Sequence, residues 1–187
     1  MERSVYIISG PAGVGKSTTA GELVQQFDKS ALISGDDISH IPVNGRGKPW
    51  LCQETLQLTW SNILSLTRNL LGFGYDVVID YVTLPAQAAW LAENLRDLNV
   101  KVFYVVLMVG EAEIVRRDQG RHPDARMGAR SVELLREFKE VLQGDEHIFN
   151  TESYGVGQLP EVIGEILSSP RFLFSRSGWM EGENQQH

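Results

Sequence analysis

Gly10-Pro11-Ala12-Gly13-Val14-Gly15-Lys16-Ser17 sets three glycines and a lysine in eight residues near the start of the chain. It follows a short apolar run, Val5-Tyr6-Ile7-Ile8, that reads as a strand. It precedes Ala20, Leu23, Val24 and Phe27, which recur as one face of a helix. Strand, glycine-rich turn and helix with the pattern G-x-x-x-x-G-K-S form the phosphate-binding P-loop. Gly10, Gly13 and Gly15 permit backbone angles and close approach that a Cβ would obstruct. The loop, with Pro11, Ala12 and Val14 between its glycines, turns N–H groups inward, and the next helix adds the positive end of its dipole. Lys16 is expected to reach the β- and γ-phosphates of a bound nucleotide and Ser17 to hold Mg²⁺, with Thr18 in the same nucleotide-binding set. The motif reads as nucleotide binding and does not name the reaction.

Composition bounds the rest. At 187 residues with 42% hydrophobic residues, the chain is expected to form a single domain over 1–187. A net charge of −7 speaks against a nucleic-acid partner, whose binding surfaces are usually basic. One cysteine, Cys52, excludes an intrachain disulfide and fits a reducing compartment; it reads as a small apolar filler rather than a catalytic thiol. No apolar run reaches the roughly 18 residues of a spanning helix, so no membrane partner is expected. Met1-Glu2-Arg3-Ser4 leads directly into the first strand and leaves no room for a signal peptide, so the expectation is a soluble cytoplasmic protein.

Beyond the first helix, strands and helices alternate. Residues 31–34 read as a second strand, 40–52 as a Pro- and Gly-broken loop, and 54–71 as a long helix. A third strand, 76–80, ends in Asp80, and a helix opens at Pro85. Residues 102–109 read as a central strand, and a helix follows over 111–118. Residues 119–130 are polar, broken by glycine and proline and rich in arginine, and read as a small mobile lid. Helical spacing returns at 134–142, a last strand falls at 147–150, and a final helix carries Leu159 to Leu167. Phe172, Leu173 and Phe174 are expected to dock, and 181–187 to form a polar tail. The expected class is α/β: a three-layer P-loop NTPase fold, with a five-stranded parallel sheet, helices on both faces and an arginine-rich lid.

Ligands of such sheets bind beyond the carboxyl ends of the strands. That rule gathers the P-loop, Asp36 and Asp37 after the second strand, and Asp80 after the third. Asp36 and Asp37 read either as carboxylates that bind an acceptor hydroxyl or as caps of a short helix. Asp80 has the place of a Walker B carboxylate that orients Mg²⁺, with service as the base as its other reading. Arg116, Arg117, Arg121, Arg126 and Arg130 surround the lid, where guanidinium donors stabilise the charge of a transferring phosphoryl group.

These features resemble the P-loop small-molecule kinases, among them the nucleoside-monophosphate, shikimate and gluconate kinases and the chloramphenicol phosphotransferases. The resemblance spans about Tyr6 to Leu167. In gluconate kinases the second strand leads into G-D-x-x-H. Here Gly35-Asp36-Asp37-Ile38-Ser39-His40 sets the histidine one position later, and Gly47-Lys48-Pro49-Trp50 is similar to the G-x-P segment that follows. The resemblance implies an ATP- and Mg²⁺-dependent kinase that phosphorylates a hydroxyl of a small molecule, such as a sugar-acid-like metabolite or an antibiotic. By resemblance Asp36 faces the acceptor, Arg116 or Arg117 lies near adenine or phosphates, and Arg121 is the phosphate-facing lid arginine. Asp37, His40, Trp50 and Tyr81 complete the expected acceptor side. The competing expectation is a P-loop ATPase that acts as a conformational switch and has no small-molecule acceptor.

Overall fold

The computed structural model describes residues 2–120, 126–142, 144 and 146–174. Arg121, the rest of 121–125 and the expected polar tail lie outside the described residues. Five strands, β1 (Ser4–Ser9), β2 (Ser30–Ser34), β3 (Asp76–Asp80), β4 (Lys101–Met108) and β5 (Ile148–Asn150), form one parallel sheet in the order β2-β3-β1-β4-β5. β1 is central, and Val5, Ile7, Ile8, Val77, Val78, Ile79, Val105, Val106 and Leu107 are fully buried. Near-continuous aliphatic runs of this kind are what a parallel sheet covered on both faces requires.

Among the described residues seven α-helices connect or follow these strands: α1 (Lys16–Leu23), α2 (Gly35–Ser39), α3 (Gln53–Gly72), α4 (Pro85–Asn94), α5 (Glu111–Gln119), α6 (Ala129–Val141) and α7 (Leu159–Ser168). The step from β1 to β2 runs toward one edge of the sheet, and every later step runs back toward the other. Right-handed crossovers then put α1 on one face and α3, α4, α5 and α6 on the other. The contacts of α1 with α7, α3 with α4, and α5 with α6 agree. The connections diverge between β1 and β3, so the crevice opens at their carboxyl ends. Among the described residues no helix is long and apolar enough to cross a membrane.

Local chemistry explains the differences from expectation. Neither aspartate after β2 is the cap of α2: Ser34 is the N-cap, and its hydroxyl accepts from the Asp37 N–H at 3.2 Å. Cys52 stands at the N-cap of α3, where the Thr55 hydroxyl donates to Sγ at 3.3 Å. β5 has three residues and pairs only with Val106–Met108. The chain after α7 covers the neighbouring part of β4: Leu173 bridges antiparallel to Phe103, and the Phe174 N–H donates to the Val102 carbonyl at 2.8 Å.

His147 lies buried in this corner. Its Nδ1–H donates to the Tyr104 carbonyl at 3.1 Å, and its ring stacks on Phe174 at 5.6 Å. Burial lowers its pKa below the ordinary 6.5, with the Tyr104 carbonyl and Glu146 opposing. Below about pH 6.5 the unfolded chain takes up a proton that the folded chain resists. Stability from the neutral ring is therefore present above that pH and lost as pH falls toward the lowered folded value. Thermal melts should show the wild type losing more stability between pH 7.5 and 5.5 than His147→Gln. Equal losses in the two proteins would contradict this account.

Candidate active site

The site is built on the turn after β1. Gly10 has φ +131°, and a Cβ there would collide with the Leu107 carbonyl oxygen of β4, so only glycine lets the chain leave β1 this close to its neighbour. Gly15 is the N-cap of α1 with φ 101° and ψ 20°. Lys16 Nζ donates to the Pro11 carbonyl at 2.9 Å, which folds its ammonium over the loop. Ser17 and Thr18 are exposed in the first turn of α1.

The register carries a carboxylate to the same place. Ile8 pairs with Asp80, so β3 delivers Asp80 beside the start of the loop. Burial raises the Asp80 pKa, the Ser17 hydroxyl and Lys16 ammonium pull it down, and Asp36 and Asp37 raise it further. The Ser17 hydroxyl and Asp80 carboxylate are hard oxygen donors of the kind Mg²⁺ takes alongside substrate phosphates. The ammonium and loop suit the phosphates themselves. These residues therefore fit Mg·ATP.

On the β2 side, α2 turns Asp36 toward this point. Gly35 lies flat on the Tyr81 ring, where a Cβ would collide with Cγ. Tyr81 is buried against Trp60 of α3, with ring centroids 5.7 Å apart. Burial first, then Asp36, pushes the Tyr81 hydroxyl up to about 12, and Arg46 opposes them. His40 Nδ1–H donates to the Asp36 carbonyl at 2.6 Å, closing α2 from its far end. Trp50 is 51% exposed in the 40–52 loop, with Lys48 Nζ 5.7 Å from its ring centroid.

Of the two arginines on α5, the structure brings one to the loop. Arg117 Nη1 donates to the Val14 carbonyl at 3.3 Å, and its side chain is 27% exposed. Arg116 is 74% exposed and stays on the helix surface. Both bind Glu113, whose carboxyl they hold down at about 2. Arg130 is paired with Glu137 and Glu133 of its own helix. Asp118, buried at the end of α5, accepts the Met127 and Gly128 N–H groups at 3.0 and 2.8 Å and so fastens the far end of the expected lid segment.

Residues 5–143 match the model of an AAA domain family, AAA_33. The chain belongs to this AAA domain family. Solved structures share its fold at low identity. A tunicamycin resistance protein of Deinococcus radiodurans aligns at 17% identity and TM-score 0.62, over 94% of this chain and 100% of that one. A gluconokinase of Sinorhizobium meliloti 1021 aligns at 19% and 0.61, over 88% and 89%. The APS kinase CysC of Mycobacterium tuberculosis, solved with AMPPNP and APS, aligns at 18% and 0.63, over 90% and 98%. At these identities the likeness is one of fold alone, the P-loop NTPase fold. No curated protein matches the sequence significantly.

One part of this AAA domain site escapes the sequence reading. Ser9, the last residue of β1, is fully buried; its hydroxyl donates to the Thr83 carbonyl at 2.7 Å and accepts the Thr83 N–H at 2.9 Å. Tyr104 of β4 donates to the same carbonyl at 2.7 Å. The pair ties the turn carrying Asp80 and Tyr81 to the base of the P-loop. A polar residue closing an apolar strand is its sequence signal. Ser9→Ala removes the only acceptor of the Thr83 N–H among the described residues. It should destabilise the protein by about 1–3 kcal/mol in urea denaturation. Wild-type stability in Ser9→Ala would refute the anchoring role.

Proposed function

We propose that this protein is an ATP- and Mg²⁺-dependent phosphotransferase that moves the γ-phosphoryl group to a hydroxyl of a small molecule. The observation that carries the reading is a second carboxylate. Holding the nucleotide asks for the loop, Lys16, Ser17 and Asp80. Asp36 approaches them from another strand end, close enough to raise the proton affinity of both Asp80 and Tyr81. A nucleotide switch has no need of it, whereas transfer to an alcohol does. The P-loop NTPase fold, shared with the APS kinase and the gluconokinase, supports the same reading.

Bound here, Mg·ATP would supply the phosphoryl group and a cation that draws off its charge. Lys16 would exchange the Pro11 carbonyl for phosphate oxygens, and Ser17 and Asp80 would hold the metal. Arg117, already against the loop, is the α5 arginine best positioned for the nucleotide. Arg121, outside the described residues, is proposed for the γ-phosphate. Asp36 accepts the proton of the acceptor hydroxyl as its oxygen bonds to phosphorus and the bond to the departing ADP oxygen breaks, the electron pair leaving with ADP. Asp37, His40, Trp50 and Tyr81 are assigned to the acceptor side.

Lys16→Ala should retain the fold by circular dichroism and lose turnover; wild-type turnover would sink the loop assignment. Asp36→Asn should keep Mg·ATP binding and slow acceptor-dependent ADP release by roughly 10²–10⁴-fold. A loose transition state favours the lower end. Asp80→Asn should raise the Mg²⁺ concentration required. If Asp36→Asn transfers at full rate while Asp80→Asn is dead at saturating Mg²⁺, the two roles are reversed. ADP release that no hydroxyl compound raises, and that responds only to a protein partner, would favour the switch.

A further inference from the structure

Building on the phosphotransfer reading, we infer that the acceptor carries a single carboxylate and that the Arg46 guanidinium binds it. Three cations stand between residues 31 and 85: Arg46, Lys48 and Arg68. Arg68 is committed elsewhere. It grips both Asp97 oxygens at 2.6 and 2.7 Å and the Asn94 carbonyl at 2.7 Å, joining α3 to the end of α4. Lys48 leans on the exposed Trp50 ring. Arg46 alone reaches the turn that presents Asp36: Nε donates to the Ser39 carbonyl at 2.6 Å and Nη2 to Ser39 Oγ at 3.2 Å. Ser39 Oγ in turn donates to the Asp36 carbonyl at 2.9 Å. The guanidinium is thus fixed to α2, on the same turn as the proposed base, and near enough to Tyr81 to offset the effect of Asp36 there.

What Arg46 leaves free defines the ligand. A guanidinium has five N–H donors. Ser39 takes one from Nε and one from Nη2, so both Nη1 donors and the second Nη2 donor remain. Among the described residues Nη1 has no hydrogen-bond partner, and no carboxylate lies within ion-pair distance of Arg46. The remaining end-on fork matches the spacing of two carboxylate oxygens. A half-buried guanidinium held in one plane without a counter-ion is preorganised for an anion. One such group suits a monoanion. A phosphate on the acceptor would carry up to two charges and ask for more cations than the turn provides. The acceptor class is therefore a hydroxy acid, with its hydroxyl at Asp36 and its carboxylate at Arg46.

Matched pairs of probes test this with the full chain: D-gluconate against D-gluconamide, and D-galacturonate against its methyl ester. Thermal shift with Mg²⁺ and a non-hydrolysable ATP analogue reads binding apart from turnover. The acid of at least one pair should stabilise the protein more than its neutral partner, and Arg46→Gln should abolish the difference. In ADP-release assays Arg46→Gln should raise KM for the acid about 10- to 100-fold, the range of a hydrogen-bonded charge pair, and leave kcat and the amide's KM near wild type. Arg46→Lys should restore part of the affinity. If neutral probes bind as well as acids, the inference is overturned. It is also overturned if Arg46→Gln lowers kcat alike for acids and amides, the result expected of an arginine that only caps α2. Acid-selective, Arg46-dependent binding without any acceptor-stimulated ADP release would uphold the carboxylate site and overturn the phosphotransfer reading instead.

Discussion

The pairing of Ile8 with Asp80 is the constraint on which the site depends. β1 sits between β3 and β4, and its buried aliphatic run locks the register on both sides. A slip by one residue would turn every side chain of β3 to the opposite face and carry Asp80 away from the loop. The same pairing sets the electrostatics. Asp80 emerges where the apolar run stops, buried enough to hold its proton more tightly than usual, yet within reach of the Ser17 hydroxyl and the Lys16 ammonium. A carboxylate in this position is poised to respond to added positive charge, because its own surroundings leave it incompletely compensated.

Local pattern carried much of this architecture. The glycines and lysine of 10–17 named the first turn, the apolar runs at 5–8, 76–80 and 102–109 named the strands, and the rule of strand carboxyl ends placed Asp36 and Asp80 near one another. Patterns of this kind work because each follows from backbone geometry over a few residues. What they could not supply was the choice among equivalent partners. Arg116 and Arg117 are adjacent, identical and bound to the same Glu113; only the turn of α5 against the loop distinguishes them. Ser34, not Asp36 or Asp37, caps α2, since three neighbouring residues are all good caps and the chain direction after β2 decides among them. Arg46 stands in the 40–52 loop, and no local pattern ties it to Ser39, the contact that fixes it.

The helices also divide the labour of support. On the loop side, Glu113 steadies Arg117 against the P-loop, and Asp118 fastens Met127 and Gly128 just before α6. On the acceptor side, Trp60 of α3 backs Tyr81, and Tyr81 backs Gly35. Glu113 and Trp60 lie outside the groups assigned to the site, and each converts helix packing into the position of a side chain that the site uses.

The brevity of β5 has a consequence beyond the sheet itself. Its three residues leave the Val102–Tyr104 stretch of β4 without a neighbouring strand on that side, and uncovered strand polar groups invite pairing with another molecule. Leu173 and Phe174 occupy that stretch in the opposite sense, and His147 takes the Tyr104 carbonyl between them and β5. The segment after α7 is thus a stopper against self-association. Its loosening would expose a hydrogen-bonding template framed by Phe103 and Tyr104, so colloidal behaviour, rather than turnover, is where damage to this corner would first be felt.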